Sequence, residues 1–248
     1  MSLTPAVELR AGAAHVFVES LQEPLLDPGD LHHLLRVLRI GDDDLVTLSD
    51  GVGAWTTARL HGERVAVTGP IRHEAERRVV TVAAAIPKGD RLEWMVQKLT
   101  ELGVARMVFV DFQRSVVRWD RERTAKQLAR MRRITREAAM QSRRVRLPVV
   151  EGVVAAAVAL TWPDVVVADP AGRPLCAGGV IEGLGTGDGP LTVIIGPEGG
   201  FSGSELDIIG RTGAEPSALG AGLPMISLSE QVLRVETAAI AAAVMLCR

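Results

Sequence analysis

The chain has 248 residues, 47% of them hydrophobic and 23% charged, with a formal net charge of −2, enough apolar material for one large or two small domains. No uninterrupted apolar stretch approaches the roughly 18 residues that span a bilayer, and the N-terminus lacks the basic-then-apolar order of a secretory signal, so a soluble cytoplasmic protein with no membrane partner is expected. Cys176 and Cys247 lie far apart in sequence, and His15, His32, His33, His61 and His73 show no H-E-x-x-H-like spacing; neither a disulfide framework nor a metal site is expected.

Residues 1–72 read as short strands and turns: "HVFVE", "LVTLSDG", "AWTTARL" and "RVAVTGP" are apolar or alternating runs cut by Gly, Asp and Pro. One helical element interrupts them, "DLHHLLRVLRI", which Asp30 can cap and in which Leu31, Leu34, Leu35 and Leu38 recur at helical spacing. His32, His33, Arg36 and Arg39 are left for its other faces. The polar stretch "RHEAERR" at 72–78 reads as a linker, after which strands and helices alternate. Strands are expected at 79–86, 107–112, 165–168 and 191–195. Helices are expected in "DRLEWMVQKLTELG", capped by Asp90 with Glu93 at the capping-box position, at about 120–142, and over an Ala-rich segment at 238–245. Such alternation implies an α/β domain built on a mainly parallel sheet.

Charge is unevenly spread. Between Gln113 and Arg146 eleven arginines and one lysine stand against Asp120, Glu122 and Glu137, too few acids to neutralise a helix surface by ion pairing. That excess points to a polyanion-binding face, with Arg114, Arg118, Arg132, Arg136 and Arg144 as phosphate contacts and Arg36 as a further RNA contact. Four Trp, four Phe and no Tyr argue against extensive base stacking and for RNA read through shape and phosphates.

In open parallel sheets the ligand sits beyond the carboxyl ends of the strands, which singles out "ADPAG" after Ala168, "GPEGGF" after Ile195, and the segment 219–234. The stretch "VIIGPEGGFSGSE" reads as strand, tight turn and helix, with Ser202 and Glu205 at capping-box spacing. It lacks the Gly-Lys-Ser/Thr ending of a phosphate loop, and Glu198 would repel a phosphate; a nucleoside-like ligand without phosphates fits better. The bland alternative is a tight connection with no ligand. No G-x-G-x-x-G opens a helix after a strand, so a dinucleotide site is unsupported.

Five segments in order, "HHLLRVLRIGD", "PKGDRLEWMVQKLTELGV", "REAAMQSRR", "IGPEGGFS" and "VLRVETAAI", closely resemble the bacterial 16S rRNA uridine-N3 methyltransferase family of the SPOUT superfamily over nearly the whole chain. The resemblance implies a small N-terminal PUA-like β-barrel that binds RNA at 1–72 and an α/β SPOUT domain with a parallel sheet and a deep trefoil knot at 73–248. It also implies a homodimer, S-adenosylmethionine as methyl donor, and 16S rRNA or the small ribosomal subunit as partner. Carried over, the cofactor pocket takes Gly196, Glu198, Gly199 and Gly200 together with Leu228, Val232 and Leu233. The family's short Leu-Gly-Pro-Arg segment is lengthened here to "SALGAGLPMISLSEQ", so that either Leu219-Gly220 or Leu228-Ser229 takes the Leu-Gly position. The family's Gln-Ser-Gly-Arg stands as Gln141, Ser142, Arg143, Arg144, which makes Arg144 its basic residue.

Uridine N3 offers no lone pair until its proton leaves, so a base near N3–H and a cation near O2 or O4 would promote transfer. Arg234 is the candidate cation; Glu236 is the candidate base or its orienter, or else simply a carboxylate stabilising a helix N-terminus. Rival readings are a SPOUT ribose 2′-O-methyltransferase, for which "GLPMISLS" offers a faint likeness, and a non-catalytic RNA-binding or assembly factor.

Overall fold

The computed structural model describes residues 5–175, 189–210 and 222–247, which fall into two compact units. The first comprises residues up to Glu76 together with Arg136–Leu147; the second comprises Arg77–Thr135 and the chain from Pro148 onward.

In chain order the first unit contains α1 (Pro5–Ala11), β1 (Ala14–Phe17), α2 (Pro28–His32), a π-helical turn (His33–Val37), β2 (Leu45–Ser49), β3 (Ala54–His61), β4 (Arg64–Val67) and β5 (Arg72–His73). β1 lies parallel to β2, and β3 pairs antiparallel with β2, β4 and β5. The strands bury Val16, Val46, Leu48, Ala58 and Leu60 on Leu34 of the helical turn, and Met140 packs against the same cluster. One local expectation fails here. Asp27, not Asp30, caps α2, accepting from the Gly29 amide at 2.8 Å, and the helix passes into the π turn after one short run. Asp30 is instead held by Arg136. The stretch expected as a linker opens with the two residues of β5, whose Arg72 pairs with Glu8 at 2.8 Å and lies over the Trp55 ring; the rest of it carries no strand or helix, and the boundary between the two units falls within it at Glu76.

The Arg136–Leu147 segment, which chain order groups with the second domain, is stitched into this unit. Leu147 N–H donates to the Gly51 carbonyl at 2.8 Å, and Ser49 Oγ donates to the Val145 carbonyl at 2.7 Å. His15 is buried between Thr47 and the Arg144 carbonyl, at 2.8 and 3.2 Å. Burial pulls its imidazole down to about 4, with the Arg143 guanidinium adding to the fall and the Arg144 hydrogen bond opposing it. A carbonyl can only accept, so in the neutral ring Nε2 carries the proton and Nδ1 accepts from the Thr47 hydroxyl.

The second unit contains β6 (Val80–Ala85), α3 (Arg91–Glu101), β7 (Arg106–Asp111), β8 (Val149–Ala155), α5 (Ala156–Ala159), β9 (Val165–Pro174), β10 (Leu191–Ile195), α6 (Gly203–Ile209), β11 (Met225–Ser227) and α7 (Val235–Leu246). The long helix α4 (Arg121–Gln141) begins in this unit. Its six strands form one sheet in the order β11-β9-β10-β6-β7-β8, every neighbour parallel. The expected α/β class with a parallel sheet is therefore observed. Continuous apolar runs such as Val80–Ala85 and Leu191–Ile195 are buried on both faces, as strands covered by helices on either side must be. α3 buries Leu92, Met95, Val96 and Leu99 at helical spacing, and the Ala-rich α7 buries Val235, Ala239, Ala242 and Ala243, small side chains that let it approach α3 closely. No helix among the described residues is long and apolar enough to cross a membrane.

Candidate functional site

The site grows from the carboxyl end of β10 beside the middle of β9. Ile195 is in register with Ala168 of β9 and Ala84 of β6, so the chain leaves the sheet at Gly196, whereas β9, expected from sequence to end at 168, runs on through Asp169 to Pro174 because its second half pairs with β11. A cavity of about 280 Å³ opens there, walled by the Gly196–Phe201 turn, the Ala168–Pro170 corner and the segment from Leu228 into α7. The chain positions this turn by local chemistry. Ser202 Oγ accepts from the Glu205 amide and Glu205 Oε2 accepts from the Ser202 amide at 2.7 Å, the predicted capping box. Glu205 Oε1 also accepts from the Gln113 amide at 2.8 Å, tying the α6 N-terminus to the segment after β7. Phe201 packs edge-on against Phe112, and its ring lies where a Cβ on residue 196 would be, 2.7 Å away; only glycine fits. Gly200 adopts φ +71, which lets the turn reverse without strain.

Of the cofactor-binding residues expected from sequence, Gly196, Glu198, Gly200, Leu228, Val232 and Leu233 line this cavity. Gly199 stands beside it with its carbonyl accepting from Arg114 Nη1 at 3.1 Å, and Leu219 and Gly220 lie outside the described residues. Arg234 lines the cavity and caps α7 through its extended backbone; it is exposed, with no ion pair among the described residues. Glu236, in the first turn of α7, is not at the cavity wall but is 4% exposed, and its Oε2 has no hydrogen-bond partner in the described structure.

Sequence reasoning missed Arg91. Its Nη1 lies 3.2 Å from Glu198 Oε1 and 3.4 Å from Glu236 Oε1, joining the glycine-rich turn to the start of α7. The available signal is its place in the first turn of a helix, where the macrodipole disfavours a cation and a compensating carboxylate is to be sought. The neighbouring expectation fails: Asp90 is helical and makes no side-chain cap, and Glu93 pairs with Arg130 at 2.5 Å instead of closing a capping box. Asp169, expected from sequence on a loop but observed within β9, contributes a second carboxyl group to the cavity wall, its Oδ1 accepting from the Ala171 amide.

The six arginines expected to meet RNA divide. Arg36 is exposed on the π turn. Arg118 donates to the Phe112 and Gln113 carbonyls, and Arg132 donates to the Val150 carbonyl at 3.2 Å. Arg114 is spent on the Gly199 carbonyl, and Arg144 is half-buried with its carbonyl facing His15. Arg136 is not a free phosphate contact: it pairs with Asp30 at 2.7 Å, donates to the Phe17 carbonyl at 3.2 Å and lies 5.4 Å above the Phe17 ring. Asp30, its partner, has its proton affinity raised on balance, burial outweighing the opposing pull of the Arg136 guanidinium. No group of three or more potential metal ligands occurs among the described residues.

An all-parallel α/β sheet with a cavity at its carboxyl edge, closed by a glycine-rich turn bearing a glutamate, defines an α/β protein that binds a small ligand without a phosphate loop. The particular family follows from comparison: a family model described as RNA methyltransferase domain matches residues 74–246, and the chain belongs to that family. It is 32% identical to the Ribosomal RNA small subunit methyltransferase E of Mycobacterium bovis over 230 residues, 88% of this chain and 83% of that one. The protein of the same name from Bacillus subtilis is 29% identical, covering 84% of this chain and 83% of its own. Among solved structures, the Ribosomal RNA small subunit methyltransferase E of Neisseria gonorrhoeae bound to S-adenosyl methionine is similar at TM-score 0.69 and 30% identity, over 93% of this chain and 95% of that one. A Legionella pneumophila methyltransferase in complex with the same cofactor is similar at TM-score 0.74 and 27% identity, over 92% and 94% of the two chains.

Proposed function

We propose that the protein is an S-adenosylmethionine-dependent rRNA methyltransferase that modifies N3 of a specific uridine in 16S rRNA of the small ribosomal subunit. The observation that carries the reading is the cavity at the carboxyl end of β10 beside the middle of β9, with Glu198 and Asp169 on its wall and Arg234 at its edge, in a chain whose relatives are small-subunit rRNA methyltransferases. The residues present fit that cofactor. Ile195, Leu228 and Val235 offer apolar walls to a nucleoside, and the two carboxyl groups suit a cationic ligand where a phosphate would be repelled. When bound, S-adenosylmethionine supplies a methyl group on a sulfonium centre.

The chain's own groups do the rest. Gly196, Glu198, Gly200, Leu228, Val232 and Leu233 hold the cofactor, with Leu219 or Gly220 as the alternative contacts from the lengthened segment. Arg234 places a cation where charge develops on a uracil oxygen as N3 loses its proton. Glu236, buried behind the cavity wall, takes the second of the two roles expected for it and orients the base. The target base leaves its stack to reach the cavity, and backbone contacts from Arg36, Arg114, Arg118, Arg132 and Arg144 offset that cost.

The same reading assigns residues 1–72 to a PUA-like RNA-binding barrel and 73–248 to a SPOUT domain with a trefoil knot. It further assigns the working form to a cytoplasmic homodimer.

Incubation of the purified protein with labelled S-adenosylmethionine and small subunits lacking the modification tests it. N3-methyluridine in the nucleoside digest is expected. A 2′-O-methylated nucleoside overturns the position, and cofactor binding with no incorporation overturns the activity.

A further inference from the structure

We propose that Arg91 is a positioning residue of the methyl-transfer site, holding the glycine-rich turn and the first turn of α7 in the register that binds S-adenosylmethionine. The proposal rests on the methyltransferase reading above. Arg91 does not line the cavity; it acts through Glu198, which does, and through Glu236, two residues beyond Arg234. A single nitrogen, Nη1, serves both carboxylates, so the two elements are linked through one atom. No local rule requires arginine here. A cation in the first turn of α3 opposes the helix dipole, and the buried face of that helix is supplied by Leu92, Met95, Val96 and Leu99 without it.

Two features mark the cluster as a device for aligning elements, joining the exposed Glu198 to the interior. Its members come from three chain segments that share no strand or helix, and the Glu236 carboxylate is almost wholly buried. Two carboxylates on one guanidinium leave an unbalanced negative charge, and Glu236 Oε2 is left without a donor among the described residues. An assembly built only for stability would pair such an atom. One poised beside a site for a cationic ligand gains from the unbalanced charge.

The test is equilibrium binding of S-adenosylmethionine by calorimetry, with a melting temperature for each protein: wild type, Arg91→Lys, Arg91→Met, and Arg91→Met combined with Glu236→Gln. Arg91→Met leaves a buried carboxylate without its partner and lowers the melting temperature, whereas the double variant removes that charge and restores it. Affinity is expected to fall about tenfold or more in Arg91→Met, to recover in part in Arg91→Lys, and to stay low in the double variant, because neutralising the buried charge does not realign the two elements. Affinity that returns with stability in the double variant, or Arg91→Met binding within about threefold of wild type, overturns the role of Arg91. Failure of the wild type itself to bind overturns the methyltransferase reading, and this inference with it.

Discussion

Two clusters of arginine and carboxylate have opposite characters. In the first unit, Arg136 and Asp30 pair one to one at 2.7 Å, and the guanidinium is further satisfied by the Phe17 carbonyl and ring. In the second, Arg91 is shared by Glu198 and Glu236, one of them with an oxygen left unpartnered. Buried polar groups that are fully satisfied rigidify a fold, while those left under-satisfied are where ligands complete the bonding. Function is read from the second kind.

That contrast is broken most directly at the cavity edge. Arg234 is exposed and unpaired among the described residues, so Arg234→Ala is expected to leave the melting temperature unchanged while lowering kcat by about 100-fold or more, the usual cost of removing a donor aimed at developing charge. Steady-state kinetics with small subunits would show it; unchanged turnover would remove Arg234 from the catalytic machinery.

The first unit is sharpened by pH. The His15 imidazole titrates near 4 in the folded chain against about 6.5 when unfolded, so below 6.5 the unfolded state takes up the extra proton. Stability is whole above about pH 6.5 and falls by up to about 3 kcal/mol as pH approaches 4. Denaturant titrations at stepped pH should show that slope, and His15→Gln should flatten it while leaving cofactor affinity at pH 7 unchanged.

The smallest effect is expected at the satisfied pair. Asp30→Asn keeps a hydrogen-bond acceptor for Arg136 in a half-buried setting and should cost about 1 kcal/mol, visible as a modest shift of the denaturation midpoint with no change in S-adenosylmethionine binding.

What was legible in the sequence is what neighbouring residues decide. The strand, turn and helix over Leu191–Ile209 follow from an apolar run, glycines and a capping box between residues three apart, and the basic helix and the parallel alternation follow from periodicity. The edge strand Val149–Ala155 and the short helix Ala156–Ala159 were not legible, because a run of valine and alanine carries no period that separates strand from helix. Arg91 was hidden for a different reason. Its partners lie 107 and 145 residues away, and only the parallel sheet brings the three segments together. The commitment of Arg136 to Asp30, 106 residues distant, was invisible on the same grounds. Charge counting found the basic region but could not see which guanidinium groups were already occupied.

The first unit is assembled from two stretches of chain, one ending at Glu76 and the other running over Arg136–Leu147. On the ribosome this sets a schedule. The leading stretch emerges first, yet Ser49 and Gly51 must wait for Val145 and Leu147, each 96 residues further along the chain, before their bonds can close. Until then His15 lacks the carbonyl that accepts its proton, and Met140 is missing from the apolar cluster. Synthesis that stalls within the intervening region therefore releases an unfinished first unit, a substrate for chaperones and proteases, and the leading unit reaches its final form only after Arg77–Thr135 of the second has been translated.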